Sequence, residues 1–594
     1  MIDPGTALAI VSLTFQAFAG CIQAFVLLTE AAKIGKLGAN LLCQLELQEV
    51  QLVEWARQVG LLEEPPHIEP RLNLEVIRKA VVQLDGFLSD TERLCIRYNF
   101  KVQIAAESQP KAPAAIQDRA SRLLQLAELD STRQKILARA AKIKKSTNVA
   151  KRLWWAAVDK DKFKEFLSDI RLYIHDLWRL LDPVRQQDTL RNTQMLLSKV
   201  ISLDNRLDEL NALQSVILQS VVGDATSNQR FAPLPSVIDM KTLRLALETR
   251  ATQSQLDSAL PRDTPRQRKD VLKGVCRLDY DKIVDFSALP RSPEMGFAKY
   301  PGHTGAPVFA EVKEVPPTFR SKVLERVEDL VALLGASKDQ SFRHLSCIGY
   351  AYDSDTEKVM FLFNPPAHAA IDRTISLRDL FSSRPELRLY PSPESRLMLA
   401  KVLARAIRNL HIAGWLHKNL RSENVLFFLH NETVDETLLA DPFIVGYAFA
   451  RADTPAAWSD QASADVQRDI YRHPAAIEVI STSYSASMDL YSLGTVLVEI
   501  GDWRALAQIV SEVIQTKPLG LPIVIKDKVQ SHLLKCDPRS NAGLTKMRFR
   551  MGEVYAQVVK TLLRGQASVV DDQGNASLAE SIVQMLEKAY SLPE

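Results

Sequence analysis

Between Asp3 and Glu30 the chain carries no charged residue. That excludes an ordinary surface helix, which needs polar residues to keep one face in water. Basic residues, which precede the apolar core of a secretory leader, are missing as well, and Asp3 stands in their place. A secretory leader is therefore not expected. The six cysteines (Cys21, Cys43, Cys95, Cys276, Cys347 and Cys536) include no pair at CxxC spacing, so the sequence signature of a zinc site or a dithiol redox pair is absent. Buried free thiols in a reducing compartment fit them best. Net charge is also scarce: +3 over 594 residues gives no general attraction to nucleic acid. The triplets Asn431-Glu432-Thr433 and Asn575-Ala576-Ser577 matter as glycosylation signals only in a secreted chain. No internal repeat is visible.

A chain this long has room for two or three domains, each with its own core. Residues 1–185 read as helices almost throughout, with apolar residues three and four apart and Pro-rich breaks at 63–70 and 107–113. Residues 186–270 read as connecting helices and linker. Within them Leu196, Val200, Leu203, Leu207 and Leu210 form a short heptad seam, either a brief coiled coil or one more amphipathic helix. A further helix is expected over 240–259, between linker-like stretches at 223–235 and 257–268. From residue 271 to 590 short apolar runs such as Pro307–Val315 and Val359–Phe363 predict strands followed by longer helices.

The segment His417-Lys418-Asn419-Leu420-Arg421-Ser422-Glu423-Asn424 resembles the catalytic loop of protein kinases, H-R-D-L-x-x-x-N. Lys313, at the end of a strand-like run, resembles the ATP-pairing lysine of V-A-I-K. Tyr471-Arg472-His473-Pro474 resembles the end of an activation segment, and Asp489-Leu490-Tyr491-Ser492-Leu493-Gly494 the buried aspartate helix of the larger lobe. The departures fall on the chemistry. Asn419 replaces the carboxylate that receives the acceptor's proton, and Gly446, in Ile444-Val445-Gly446-Tyr447, replaces the metal-binding aspartate of D-F-G. No G-x-G-x-x-G precedes Lys313. The resemblance implies a pseudokinase without catalytic or metal residues. Lys313, a helix glutamate (Glu328 preferred over Glu325) and Asn424 remain, either as a metal-independent ATP site or as structural ties.

Within the uncharged N-terminal stretch, Leu8, Val11, Phe15, Phe18, Ile22 and Phe25 follow one helix face, while Ala17, Cys21 and Ala24 place small residues on another. A helix apolar nearly all round suits a bundle centre or lipid. Together with Pro4-Gly5 and the run Arg152-Leu153-Trp154-Trp155-Ala156-Ala157-Val158-Asp159-Lys160-Asp161-Lys162-Phe163, it resembles the HeLo domain, a fungal helical bundle of cell-death and prion-linked proteins. From Ser131 to Val158 there is no acidic residue. Lys142, Lys144, Lys145, Lys151 and Arg152, beside Trp154, are either a membrane-facing basic and aromatic surface or a solvated face over a buried tryptophan.

The expected fold is multidomain: an all-α HeLo-like bundle, then an α+β bilobal protein-kinase-like fold. The layout is similar to that of mixed lineage kinase domain-like proteins of animal necroptosis. The resemblances imply a cell-death effector that is cytoplasmic at rest and membrane-associated when activated. They also imply homo-oligomerisation, lipid and an upstream signalling protein as partners, without nucleic acid and without a required cofactor. An inert scaffold that binds proteins, and an unorthodox active kinase, are the other two readings.

Overall fold

A computed structural model describes residues 4–34, 39–63, 73–104, 129–143, 153–157, 159–181, 183–221, 233–257, 276–301, 307–336, 339–366, 374–381, 387, 389–429, 434–453, 466–476, 484–511, 522–539, 541–564 and 575–589. These fall into two compact units, Met1–Pro235 and Ser236–Glu594.

The first unit is helical: α1 (Pro4–Ile34), α2 (Ala39–Gln58), α3 (Leu74–Ser89), α4 (Thr91–Tyr98), α5 (Leu129–Ile143), α6 (Lys160–Arg179), α7 (Pro183–Leu203) and α8 (Leu207–Val221). Short acceptor side chains start several of these helices. The Asn73 side chain accepts from Val76 N, Asp90 from Arg93 N, and Asp159 from Asp161 N and Lys162 N, which satisfies amides that have no partner within the helix. Left-handed Asn99 ends α4 and turns the chain into β1 (Phe100–Ile104).

Here the structure departs from an uninterrupted helical pattern. β1 pairs antiparallel with β2 (Leu153–Ala157), Trp154 opposite Gln103. The bulky and β-branched residues of these two runs favour a pleated pair. Nearby, Phe87 stacks on Phe166 at 5.6 Å, and Tyr98, Phe100 and Phe163 surround that ring at 5.1–6.0 Å. The fully buried Trp55 donates its indole N–H to the Leu177 carbonyl at 2.9 Å, tying α2 to α6.

The heptad seam is also interrupted. Residues 204–206 break it, with the Asp204 carboxylate accepting from Arg206 N at 2.9 Å. Val200 and Leu210 are buried while Leu207 is 38% exposed, so the apolar residues pack on two separate helices and do not form one continuous stripe. The predicted helix at 240–259 is α9 (Pro233–Asp257), most of which belongs to the second unit. Its Arg244 pairs with Glu248 at 2.6 Å and lies against Gly414, so close that a Cβ on that glycine would meet Arg244 Nε at 2.6 Å.

The second unit is α+β. A mixed six-stranded sheet, order β3-β7-β8-β6-β5-β4, comprises β3 (Arg277–Leu278), β4 (Val284–Leu289), β5 (Ser292–Lys299), β6 (Pro307–Glu314), β7 (Ser346–Asp353) and β8 (Lys358–Asn364). Only β3 runs parallel to its neighbour. On β6, Val308 and Ala310 join Leu278, Ala298, Ala351, Met360 and Leu362 in one core, with Val312 packed against it. Strand alternation puts Phe309, Glu311 and Lys313 on the opposite face. Helix α10 (Arg320–Ala336) follows β6 and packs on β7.

The remainder of this unit is mostly helical. α11 (Pro393–Ile412) and α12 (Ala486–Asp502) lie beside α13 (Glu553–Arg564) and α14 (Asn575–Lys588). Every residue of α12 from Met488 to Asp502 is buried. Gly494 allows the close approach to α13, because a Cβ there would meet that of Leu562 at 2.8 Å.

Candidate functional site

The loop 417–424 is held by a buried carboxylate. Asp489 accepts from His417 N at 2.7 Å, Lys418 N at 2.8 Å and the Tyr484 hydroxyl at 2.7 Å, with His411 Nε2 at 3.2 Å. Burial pushes this carboxyl up, but the bonds and charges of His411 and His417, with the Tyr484 hydroxyl, outweigh that and hold it below the ordinary value. Lys418 takes a left-handed φ of 65°, a strained turn for a non-glycine residue. The His417 ring packs edge-on to Tyr447 at 4.6 Å, and burial lowers its pKa to about 4.

Past that loop, the sequence-predicted positions converge. Asn424 Nδ2 donates to the Asn419 carbonyl at 2.6 Å, and Asn419 Nδ2 approaches the Gly446 carbonyl at 3.5 Å. Gly446 has φ +89°, and a Cβ on it would lie 2.4 Å from Asn424 Nδ2 and 3.0 Å from Asn419 Nδ2. An aspartate at 446 would thus need both a left-handed backbone and space that two amide groups already fill. A magnesium ion needs oxygen ligands with negative charge among them. These residues do not fit it: glycine has no ligand, and both neighbouring carboxamides turn N–H groups toward the position. Among the described residues no group of three or more His, Cys, Asp or Glu side chains is placed to hold a metal ion.

What meets Gly446 is a carboxylate that sequence reasoning missed. Glu311 of β6, fully buried, accepts from Gly446 N at 2.7 Å and Ala448 N at 3.3 Å. Burial raises its pKa to about 7, against the backbone hydrogen bonds that lower it. Lys313 lies on the same strand face. Its ammonium donates to the Ala448 carbonyl at 2.9 Å and sits 4.8 Å from the Phe449 ring centroid.

The two helix glutamates considered as partners of Lys313 differ in exposure and contacts. Glu328 accepts from the Tyr350 hydroxyl at 3.1 Å, and Glu325 is exposed. The α10 residue that reaches the Ala448 carbonyl is a cation, Arg326, at 3.3 Å. Its position was readable, since 323, 326, 327, 330, 331 and 334 form the buried face of α10, but nothing in the sequence marks a buried arginine there as a reaching group. For Glu311 the signal was its i, i+2 relation to Lys313.

A second sheet carboxylate completes the closure. Glu294 of β5 accepts from Arg421 at 2.8 Å and from Arg468 at 2.7 Å, and its charge adds to the upward shift of Glu311.

In the first unit, Phe15, Phe18, Ile22 and Phe25 are fully buried and Val11 nearly so, while the Leu8 side chain lies outside what is described. The guanidinium of Arg139 on α5 lies 4.5 Å from the centre of the Phe15 ring, a cation–π contact. The opposite stripe is open: Leu13 is 52% exposed and Leu27 38%. The segment Ala9–Thr29, 21 residues, is long and apolar enough to cross a membrane, with half of its apolar window buried. Of the basic and aromatic candidates, Lys144, Lys145, Lys151 and Arg152 lie outside the described residues. Lys142 ends near the close of α5 and Trp154 sits in β2, with neither side chain described.

No curated protein matches the chain. The helical part is nonetheless recognisable by family: residues 5–213 match the HeLo family, described as prion-inhibition and propagation.

Proposed function

We propose that this chain is a catalytically inactive, kinase-like regulator joined to a HeLo-type membrane-disrupting effector of fungal cell death. In this reading the first unit is soluble at rest, then oligomerises and delivers α1 to lipid when an upstream protein acts on the second. The observation that carries it is the double character of α1. Its Phe15, Phe18, Ile22 and Phe25 complete a core, yet its length and composition match a membrane span.

The kinase-like part of the reading is supported by the order of sheet, α10 and helical part, and by the loop 417–424 anchored on Asp489. Inactivity is supported by Asn419 and by the crowded position of Gly446. Phosphoryl transfer from ATP that Lys313→Ala abolishes would overturn that part.

Charge placed on Phe18 or Phe25 would unfold the resting bundle, so the membrane test uses the exposed stripe. Liposomes containing anionic lipid should leak with residues 1–235, and Leu13→Glu with Leu27→Glu should remove leakage while helix content stays unchanged. Equal leakage from both proteins, or none from either, would sink the membrane reading and favour a protein-binding scaffold.

A further inference from the structure

We propose that Arg421 and Arg468 form an oxyanion-binding site for a phosphate monoester, held shut by Glu294. Arg421 belongs to the loop before β-strand 425–428, Arg468 to the short helix 466–469, and Glu294 to β5 of the sheet. One oxygen of one carboxylate, Glu294 Oε1, takes an N–H from each guanidinium, at 2.8 and 2.7 Å. The single carboxylate oxygen takes one N–H from Arg421 and leaves other donors of that guanidinium over. The surplus is visible at Arg421, whose side chain is only 8% exposed and whose Nε is buried without a hydrogen-bond partner.

A buried donor without an acceptor is costly. A tetrahedral dianion presents three or more acceptor oxygens and twice the charge, and would meet both forks at once.

Displacing Glu294 breaks the ion pairs that tie β5 to the loop and to helix 466–469. The site needs no metal and no transferable phosphate, and it stands whether or not the membrane reading holds. Leakage tests the one, binding the other.

The experiment is titration calorimetry and thermal melting of the full chain with inorganic phosphate, O-phosphoserine and ATP without magnesium, at constant ionic strength with chloride as control. Glu294→Gln keeps an oxygen but removes the competing charge, and should bind phosphate at least about tenfold more tightly than the parent. Adding Arg421→Gln to it should abolish the gain, and Arg468→Gln, a less buried change, should weaken it with the fold checked by circular dichroism. Tighter binding of O-phosphoserine than of ATP would assign the site to a phosphorylated protein. The reverse order would assign it to a nucleotide, and either supports an oxyanion site. Absence of saturable binding by the Glu294→Gln protein, or binding that Arg421→Gln leaves intact, overturns the proposal.

Discussion

Two buried acids give the second unit an unusual pH response at the level of single residues. Burial, outweighing the hydrogen bonds that each accepts, raises Glu311 to about 7 and Glu499 to about 8. Glu499 takes donors from Leu506 N, the Tyr471 hydroxyl and Ser422. A carboxyl whose folded pKa is raised binds its proton more tightly in the folded state. Its contribution is therefore complete below the unfolded value of 4.5 and is lost as pH rises through about 7 and about 8. His417, lowered to about 4 mainly by burial, has the opposite sign, and its contribution is lost as pH falls from 6.5 toward 4. Above about pH 6.5 only the acids remain. The melting temperature of the second unit should fall from there to about pH 8.5, each acid adding at most about 1.4 kcal/mol per pH unit. Glu311→Gln, which can still accept from Gly446 N, should flatten the lower part of that decline. A melting temperature that rises over this range would contradict the assignment.

At the scale of elements, a buried ion pair fastens α5 onto the bundle. Glu49 of α2 and Arg133 of α5 form a two-pronged pair, one contact at 2.6 Å, with the carboxylate fully buried. Removing one partner strands the other charge in a dry interior, so Arg133→Ala should cost about 3–5 kcal/mol. Replacing both, Glu49→Leu with Arg133→Met, should cost far less. Chemical denaturation of residues 1–235 measures both, and equal losses would show that packing rather than charge carries the contact. Because Arg139 of the same helix covers Phe15, loosening α5 also uncovers α1.

The elements that were legible in the sequence are those with strong periodicity, such as α11, β6 and β8. The ribbon β1–β2 was not, because five residues pairing across some fifty leave no local period to read. The interrupted seam shows the complementary limit: Leu203 and Leu207 keep the heptad rhythm across residues 204–206, where Asp204 binds the Arg206 amide and stops the helix. In the second unit, the convergence of Asn419, Asn424 and Gly446 was legible from the loop pattern. Glu294 and Glu311 were not, since their role depends on which strand face meets which loop.

For the whole molecule, the division into Met1–Pro235 and Ser236–Glu594 implies more than one cooperative transition, because separate cores need not melt together. Glu311, Glu499 and His417 all lie in the second unit. Calorimetry of the full chain should therefore resolve two transitions, one of which residues 1–235 reproduce alone, with the other carrying the Glu311 and Glu499 response. A single transition with one pH dependence throughout would show that the two cores fold as one. The α+β character of the later part was legible from a change of hydrophobic period near residue 271, but the second unit begins at Ser236, within the stretch expected to be connecting helices and linker.

The two faces of α1 answer to different demands. Phe15, Phe18, Ile22 and Phe25 must fit a resting core shaped to within a methyl group, whereas Leu13 and Leu27 are only partly covered there. Under the proposed function, variation at the buried face is judged twice, once by the soluble fold and once by lipid, while the exposed stripe is judged by lipid alone. Natural selection can thus tune lethality through a handful of surface positions without disturbing the silent form, and a harmless descendant of this chain would be expected to betray itself there first.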